Sequence, residues 1–249
     1  MILVIEVFSI TKELSLILPC YNEEEIFETS VRKISKFLNS KNIDYELIFV
    51  EDKSQDNTAN LIQRELKSNS RARAIFHKQN TGRGGAVADG IRIAKGKYVG
   101  FIDLDLEVSE KYIISFIDAL KNGYDIVSHI RHSDANLGNF FRNFLHKSYL
   151  IFADFLIDLP VKDPNGGYKF FNRKKILPII EKTIDLHWFW ETELLKRASL
   201  AGLKIKEIDV VFCKNKDKKS TVKVFSDTIY FISKVFWLRK ILRGEKNEF

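Results

Sequence analysis

The chain is poor in cysteine: Cys20 and Cys213 are its only two. A pair so far apart offers neither metal-ligand spacing nor a disulfide framework, and it points to a reducing compartment. Long hydrophobic runs are missing too. No stretch reaches the roughly 18 uninterrupted apolar residues of a spanning helix, so no transmembrane helix is expected. Met1 to Ile10 is apolar but short, is broken by Glu6, and lacks the charged start and cleavage site of a signal peptide. His77, His129, His132, His146 and His187 show no ligand spacing and read as structural or surface residues. No internal repeat, low-complexity tract or evident linker divides the 249 residues. That length allows one large α/β domain, or at most two small ones.

What is present is an ordinary globular composition, 45% hydrophobic and 29% charged, which excludes a disordered chain. The net charge of +7 favours an anionic partner, but does not choose among nucleic acid, phosphorylated substrate and acidic lipid. In the first half, β-rich runs at Leu14–Leu18, Tyr45–Val50, Ala72–His77 and Lys97–Ile102 alternate with helical patterns at Glu23–Leu38, Asp56–Ser68 and Gly84–Ala94. This alternation predicts a mostly parallel, doubly wound sheet flanked by helices, with ligands at the carboxyl ends of its strands.

Three polar clusters fall at those ends. Asp103, Asp105 and Glu107 alternate where the fourth strand stops, so continued extension would aim all three at one point. Converging carboxylates repel unless a cation joins them, and hard oxygen ligands suit Mg²⁺ or Mn²⁺. Spacing alone serves a solvated acidic strand end equally well. Glu51-Asp52 and the residues to Thr58 follow the second strand, where acids can accept from a nucleotide base or ribose; Asp56 and Thr58 read as helix caps. Asn80 to Ala86 is a Gly-rich turn opening a helix, where Arg83, Gly84 and bare N–H groups offer an anion site. It is neither a Walker loop nor a dinucleotide fingerprint.

The second half differs. Leu137–Leu159 and Phe225–Leu242 are rich in aromatics and Leu, and Arg239, Lys240 and Arg243 gather at the end of the latter. Both segments fit amphipathic helices in a membrane interface, and both fit core helices; the clustered cations favour the interface for the second. The expected divisions are an N-terminal extension (1–13), a main domain (14–223), and a basic, aromatic helix and tail (224–249).

Taken in order, Leu18-Pro19-Cys20-Tyr21-Asn22-Glu23, the Glu51–Thr58 segment, the Gly82–Ala86 turn and the Asp103–Glu107 strand end resemble the family 2 glycosyltransferases of GT-A (Rossmann-like) fold. The likeness is strongest to the polyprenyl-phosphate (dolichyl-phosphate) mannose and glucose synthases, and runs from about Leu14 to Arg243. It implies that Pro19, Tyr21, Glu23, Glu51 and Asp52 bind the nucleotide. Asp103, Asp105 and Glu107 would hold the metal on the sugar-nucleotide diphosphate. Asp163-Pro164-Asn165-Gly166-Gly167-Tyr168-Lys169 resembles the family's acceptor-side stretch, and Trp190 to Leu195 the segment with its Glu-Leu-Leu. Arg131, Arg142 and the Lys214–Lys223 run, Lys219 included, lie where these synthases place phosphate-binding cations. Two departures stand out: Glu51 replaces the usual Asp, and Tyr168 replaces Phe, adding a hydroxyl near the acceptor.

The resemblance implies an inverting transferase that moves a hexose from a GDP- or UDP-linked sugar to a polyprenyl or dolichyl phosphate. It would be peripheral, on the cytoplasmic face of an anionic membrane. An already anionic acceptor needs positioning more than a base. A hydroxyl acceptor is the main alternative, with Asp163 or Glu193 as base. A nucleotidyltransferase is a remoter one, because the first loop lacks that class's Gly-rich, basic signature. Acids at three strand ends argue against a nucleic-acid partner.

Overall fold

The computed structural model describes residues 12–132, 140–213 and 224–246. Among them seven strands form one sheet in the order β3-β2-β1-β4-β6-β5-β7. These are β1 (Lys12–Cys20), β2 (Tyr45–Glu51), β3 (Ala72–Phe76), β4 (Gly96–Ile102), β5 (Ile126–His132), β6 (Tyr168–Asn172) and β7 (Ile205–Val211). Every pairing is parallel except those of β6, which runs against β4 and β5. The four expected strands are present within a residue or two of their predicted limits. The three of the second half carry no comparably clear pattern.

Strand β2 is buried along its whole length, as expected of a parallel strand covered on both faces. Residues of β1 alternate between the two layers. Leu14, Leu16 and Leu18 face α1 (Phe27–Ser40), α2 (Thr58–Ser68) and α4 (Ile113–Lys121), whereas Ile17 faces α3 (Gly82–Ile93), α6 (Arg173–Ile180) and α7 (Trp190–Leu200). After β3 the chain returns to the other side of β1 to lay down β4. The strand order therefore reverses at β1, and the crevice beyond the ends of β1 and β4 is where such sheets bind ligands.

The remaining helices, α5 (Phe140–Ile157) and α8 (Val224–Lys246), pack on each other through Ala153, Ile157, Val235 and Leu238, with Phe189 between them. The core reading thus holds for one face of each segment. The inner faces form a small core, while Ile151, Phe155, Ile229 and Phe236 stand exposed. Among the described residues no helix is long and apolar enough to cross a membrane.

Candidate active site

The loops after β1 and β2 are laced together. Asn22 N–H donates to Ser54 Oγ (3.1 Å), Gln55 N–H to Asn22 Oδ1 (2.7 Å), and Glu23 N–H to Thr58 Oγ1 (2.8 Å). Asp56 accepts the Thr58 N–H at the start of α2, the capping role expected of it. This lacing leaves Tyr21 exposed at the crevice, beside the part-buried Pro19 and Glu23. Glu51 is buried and accepts the Ser54 N–H, so it shapes the second loop from within.

Asp52 is buried as well, and it organises the start of α3. Its Oδ1 accepts from Thr81 N–H (2.8 Å) and Thr81 Oγ (2.9 Å) and pairs with His77 Nδ1 (2.8 Å); Oδ2 accepts from Gly82 N–H (2.9 Å). Gly85 N–H donates to the Leu186 carbonyl at 2.9 Å. The amides of Thr81, Gly82 and Gly85 are thus spent inside the protein, which corrects the expectation that this turn offers them to an anion. What the turn does present is the Arg83 side chain.

Arg83 lies between two carboxylates. Its Nε is 3.3 Å from Asp103 Oδ1 and its Nη2 is 3.4 Å from Glu191 Oε1, with the guanidinium 5.6 Å above the Phe101 ring. Burial works against its charge, but Asp103, Glu191 and Asp105 outweigh that and hold it protonated. On the far side of Glu191 sits Lys169, wholly buried, 3.6 Å from Oε1 and donating to Gly166 O at 2.7 Å. Burial pushes the Lys169 ammonium below its ordinary pKa, opposed by Glu191 and Asp163. Asp103, Arg83, Glu191 and Lys169 thus form one chain of alternating charge. Within it Arg83 Nε, Arg83 Nη2 and Glu191 Oε1 are buried and make no hydrogen bond among the described residues. Their ion pairs at 3.3 to 3.6 Å leave hydrogen-bonding capacity unused at this point, which is uncommon for buried groups. Glu191 and Lys169 were not singled out by the sequence. The available signal was position: Glu191 is two residues before Glu193, on the opposite flank of α7.

The carboxylate triad does not form. The chain leaves the extended conformation after Ile102, Leu106 N–H closes a turn onto the Asp103 carbonyl (3.2 Å), and Leu106 has φ 50°. A turn cancels the alternation on which convergence depended. Among the described residues no three His, Cys, Asp or Glu side chains are grouped to hold a metal. Glu107 N–H donates to Asp105 Oδ1 (3.3 Å), and the Glu107 carbonyl accepts from Cys213 N–H (2.8 Å). Asp103 and Asp105 remain near each other on the turn as hard oxygen donors. Two carboxylates fit a Mg²⁺-type ion that keeps waters and takes its other ligands from substrate phosphates.

Other expected residues are placed differently. Arg131 is clamped by Asp163 through Nε (2.6 Å) and Nη2 (2.9 Å), and Nη2 also reaches the Asn165 carbonyl (3.0 Å). Glu193 is fully buried, accepting from the amides of Ile184 (3.1 Å) and Asp185 (2.8 Å) and from Arg197 Nε (2.7 Å). It holds a loop and does not face an acceptor. His129, buried against the Tyr168 carbonyl, has its pKa lowered to about 3, chiefly by burial, so it is neutral and structural. The Tyr168 ring packs edge-on against Phe116 of α4, so its hydroxyl lies in the opposite layer from Lys169 and cannot tune the acceptor. Arg142 falls in α5, but its side chain, like Lys219 and the whole Lys214–Lys223 run, lies outside the described residues.

The sequence profile of Glycosyl transferase family 2 matches residues 15–177, more than half of the chain, and takes in the carboxyl end of every strand described above except β7. The chain belongs to Glycosyl transferase family 2. Family relatives include a dolichyl-phosphate beta-glucosyltransferase of Dictyostelium discoideum, 33% identical over 213 residues that cover 79% of this chain and 65% of that protein. The glycosyltransferase AglD of Haloferax volcanii is 28% identical over 203 residues, 80% of this chain and 32% of its own. The chain spans between about a third and two thirds of the length of the curated relatives it matches. Among solved structures, a glucosyl-3-phosphoglycerate synthase of Mycobacterium tuberculosis, holding Mn²⁺, UDP-glucose and phosphoglyceric acid, superposes with TM-score 0.68. The two share 18% identity, over 94% of this chain and 82% of that one. A mannosyltransferase of Pyrobaculum calidifontis with GDP-mannose and Mn²⁺ gives TM-score 0.58 at 17% identity, covering 83% and 58%. The fold is that of the GT-A members of family 2.

Proposed function

We propose that this chain moves a hexose from a nucleoside-diphosphate sugar to a polyprenyl or dolichyl phosphate, inverting the anomeric carbon. The observation that carries the reading is the Arg83–Glu191 ion pair beside Asp103, whose buried polar atoms make no hydrogen bond among the described residues, at the crevice where the strand order reverses. Charge grows on the departing diphosphate during transfer, and a preorganised guanidinium at that point stabilises it without reorganising. Asp103 and Asp105 would hold a divalent ion, which supplies further positive charge for the leaving group. Tyr21 offers an exposed face for the nucleotide. A lipid phosphate supports the chemistry without a base, and the two carboxylates that a hydroxyl acceptor would call on, Asp163 and Glu193, are both bound to arginines. The Dictyostelium relative's name points to the same acceptor class.

The test is a transfer assay with polyprenyl phosphate, Mg²⁺ or Mn²⁺ and a panel of radiolabelled GDP- and UDP-sugars. A labelled lipid should form with one donor and be lost with EDTA or with Asp105→Ala. Donor binding without a lipid product would move the acceptor to the hydroxyl class.

The exposed Ile151, Phe155, Ile229 and Phe236, with Arg239, Lys240 and Arg243 further along α8, fit a face resting on an anionic membrane, the cytoplasmic one where nucleotide sugars are available. The chain should sediment with phosphatidylglycerol vesicles and be released as salt rises. Phe155→Ser with Phe236→Ser should abolish this binding. Equal sedimentation of that variant would count against the face.

A further inference from the structure

Residues 181–189 connect α6 to α7 and carry three large apolar side chains in water: Ile184 (56% exposed), Leu186 (41%) and Trp188 (57%). None belongs to the three hydrophobic clusters of the described residues. Their backbone, however, is held firmly. Glu193 accepts the N–H groups of Ile184 and Asp185, and the Leu186 carbonyl accepts from Gly85. Asp185, itself buried, accepts from His187 N–H (2.9 Å), Tyr230 Oη (3.2 Å) and Lys234 Nζ (2.7 Å). A connection pinned at this many points is not a frayed turn. Apolar side chains kept in water on a fixed backbone indicate a contact surface.

Its place narrows what it contacts. The loop lies against the first turn of α3, so closely that a Cβ at Gly82 or Gly84 would come within 2.8 Å of the Leu186 carbonyl. Arg83 leaves α3 between those two glycines, on its way to Asp103 and Glu191. On its other side the loop is tied through Asp185 to Tyr230 and Lys234 of α8, and Ile229, next to Tyr230 in sequence, is exposed. The loop therefore bridges the charged crevice and an apolar face, the shape required by a ligand with an anionic head and a hydrocarbon tail.

We infer that Ile184, Leu186 and Trp188 form a lip that receives the hydrocarbon chain of the acceptor beside its phosphate, and that this lip sets the discrimination between long and short prenyl chains. The inference rests on the reading of the acceptor as a lipid phosphate. Continuity with the α8 face commits the lip to a lipid chain over a second protein copy.

The test uses the full chain in detergent micelles, so that docking to a bilayer does not limit the rate. Undecaprenyl phosphate and geranyl phosphate are compared as acceptors for the wild type, for the triple variant Ile184→Ser, Leu186→Ser, Trp188→Ser, and for Trp188→Tyr. In the triple variant the preference for the long chain, read as the ratio of the two KM values, should fall about ten-fold, the scale expected from losing partial burial of three apolar side chains. The donor KM should stay unchanged, and Trp188→Tyr should keep most of the preference. Because the three side chains are exposed, the variant should melt with the wild type. If it does not, the single Trp188→Ser carries the same comparison. An unchanged ratio would overturn the lip, and so would a rise in donor KM instead, or a change of oligomeric state on gel filtration. Lost vesicle binding with an unchanged ratio in detergent would make the loop a bilayer contact only. Failure of the wild type to label either lipid would overturn the acceptor reading, and the lip with it.

Discussion

Replacing Gly167 with alanine is expected to lower transfer about a hundred-fold while leaving the chain folded, the scale of loss that follows a displacement of about 1 Å in a reacting geometry. Gly167 precedes β6, and its carbonyl accepts the Asp103 N–H at 3.1 Å. A Cβ there would strike the Asp103 carboxylate and come within 2.7 Å of Arg83 Nη2. Neither neighbour can yield without loss: Arg83 is stacked over Phe101 and paired with Glu191, and Asp103 sits on a turn fixed by Leu106. The added methyl would therefore displace the two groups proposed to meet the diphosphate. Steady-state kinetics with the preferred donor, beside a thermal melt, separate this from unfolding. Wild-type turnover in Gly167→Ala would mean that the Asp103 position is not used. Gly166→Ala offers a contrast, because its Cβ would strike the ring of buried, neutral His129 and should act on stability first.

The first half of this fold was legible because parallel strands buried on both faces write continuous apolar runs, as Leu14 to Leu18 and Tyr45 to Val50 do. The second half was not. Strand β6 follows a Gly-Gly turn, includes the buried Lys169, and runs antiparallel, so its residues lack both the length and the composition of its neighbours. The site was legible as positions and much less as roles. The sequence marked Glu51 and Asp52 by their place after the second strand, and Asp163 and Glu193 by the family resemblance. In the structure each carboxylate accepts from a backbone amide or clamps an arginine, and chain order does not distinguish such a bond from an open ligand contact. Asp103 and Asp105 were found by their spacing, yet the spacing argument assumed an extended strand that the Asp103–Leu106 turn ends. Lys169 and Glu191 lie inside the two stretches that carry the resemblance, but their pairing is not legible there because a buried ion pair joins residues far apart in sequence. Charge pattern carries no signal for a pairing that only the packing of α7 on β6 creates.

Asp163→Ala is expected to destabilise the fold by about 3 kcal/mol, the lower end of the range for stranding one partner of a buried ion pair, because Arg131 keeps 30% side-chain exposure. The alanine would remove both oxygens of a two-point clamp and leave Arg131 among Lys169, neutral His129 and the Phe212 ring, with the Asn165 carbonyl as its remaining acceptor. Removing the cation as well should help: Arg131→Met combined with Asp163→Ala should be more stable than Asp163→Ala alone, since the stranded charge is gone. A double variant no more stable than the single one in urea melts would sink this account. The dependence on pH carries a second check. Burial by itself raises the Asp163 pKa, but the Arg131 hydrogen bonds and charge, with Lys169, outweigh it and hold the carboxyl below its ordinary value. A group lowered on folding gives its full stabilisation above the unfolded pKa, about 3.9 for Asp, and loses it as pH falls through the lower folded value. The gap between wild type and Asp163→Ala should therefore stay constant from neutral pH down to about pH 5 and narrow only below the ordinary carboxylate range. Narrowing already between pH 7 and 5 would assign the clamp to a group that titrates higher, and Asp163 would no longer explain it.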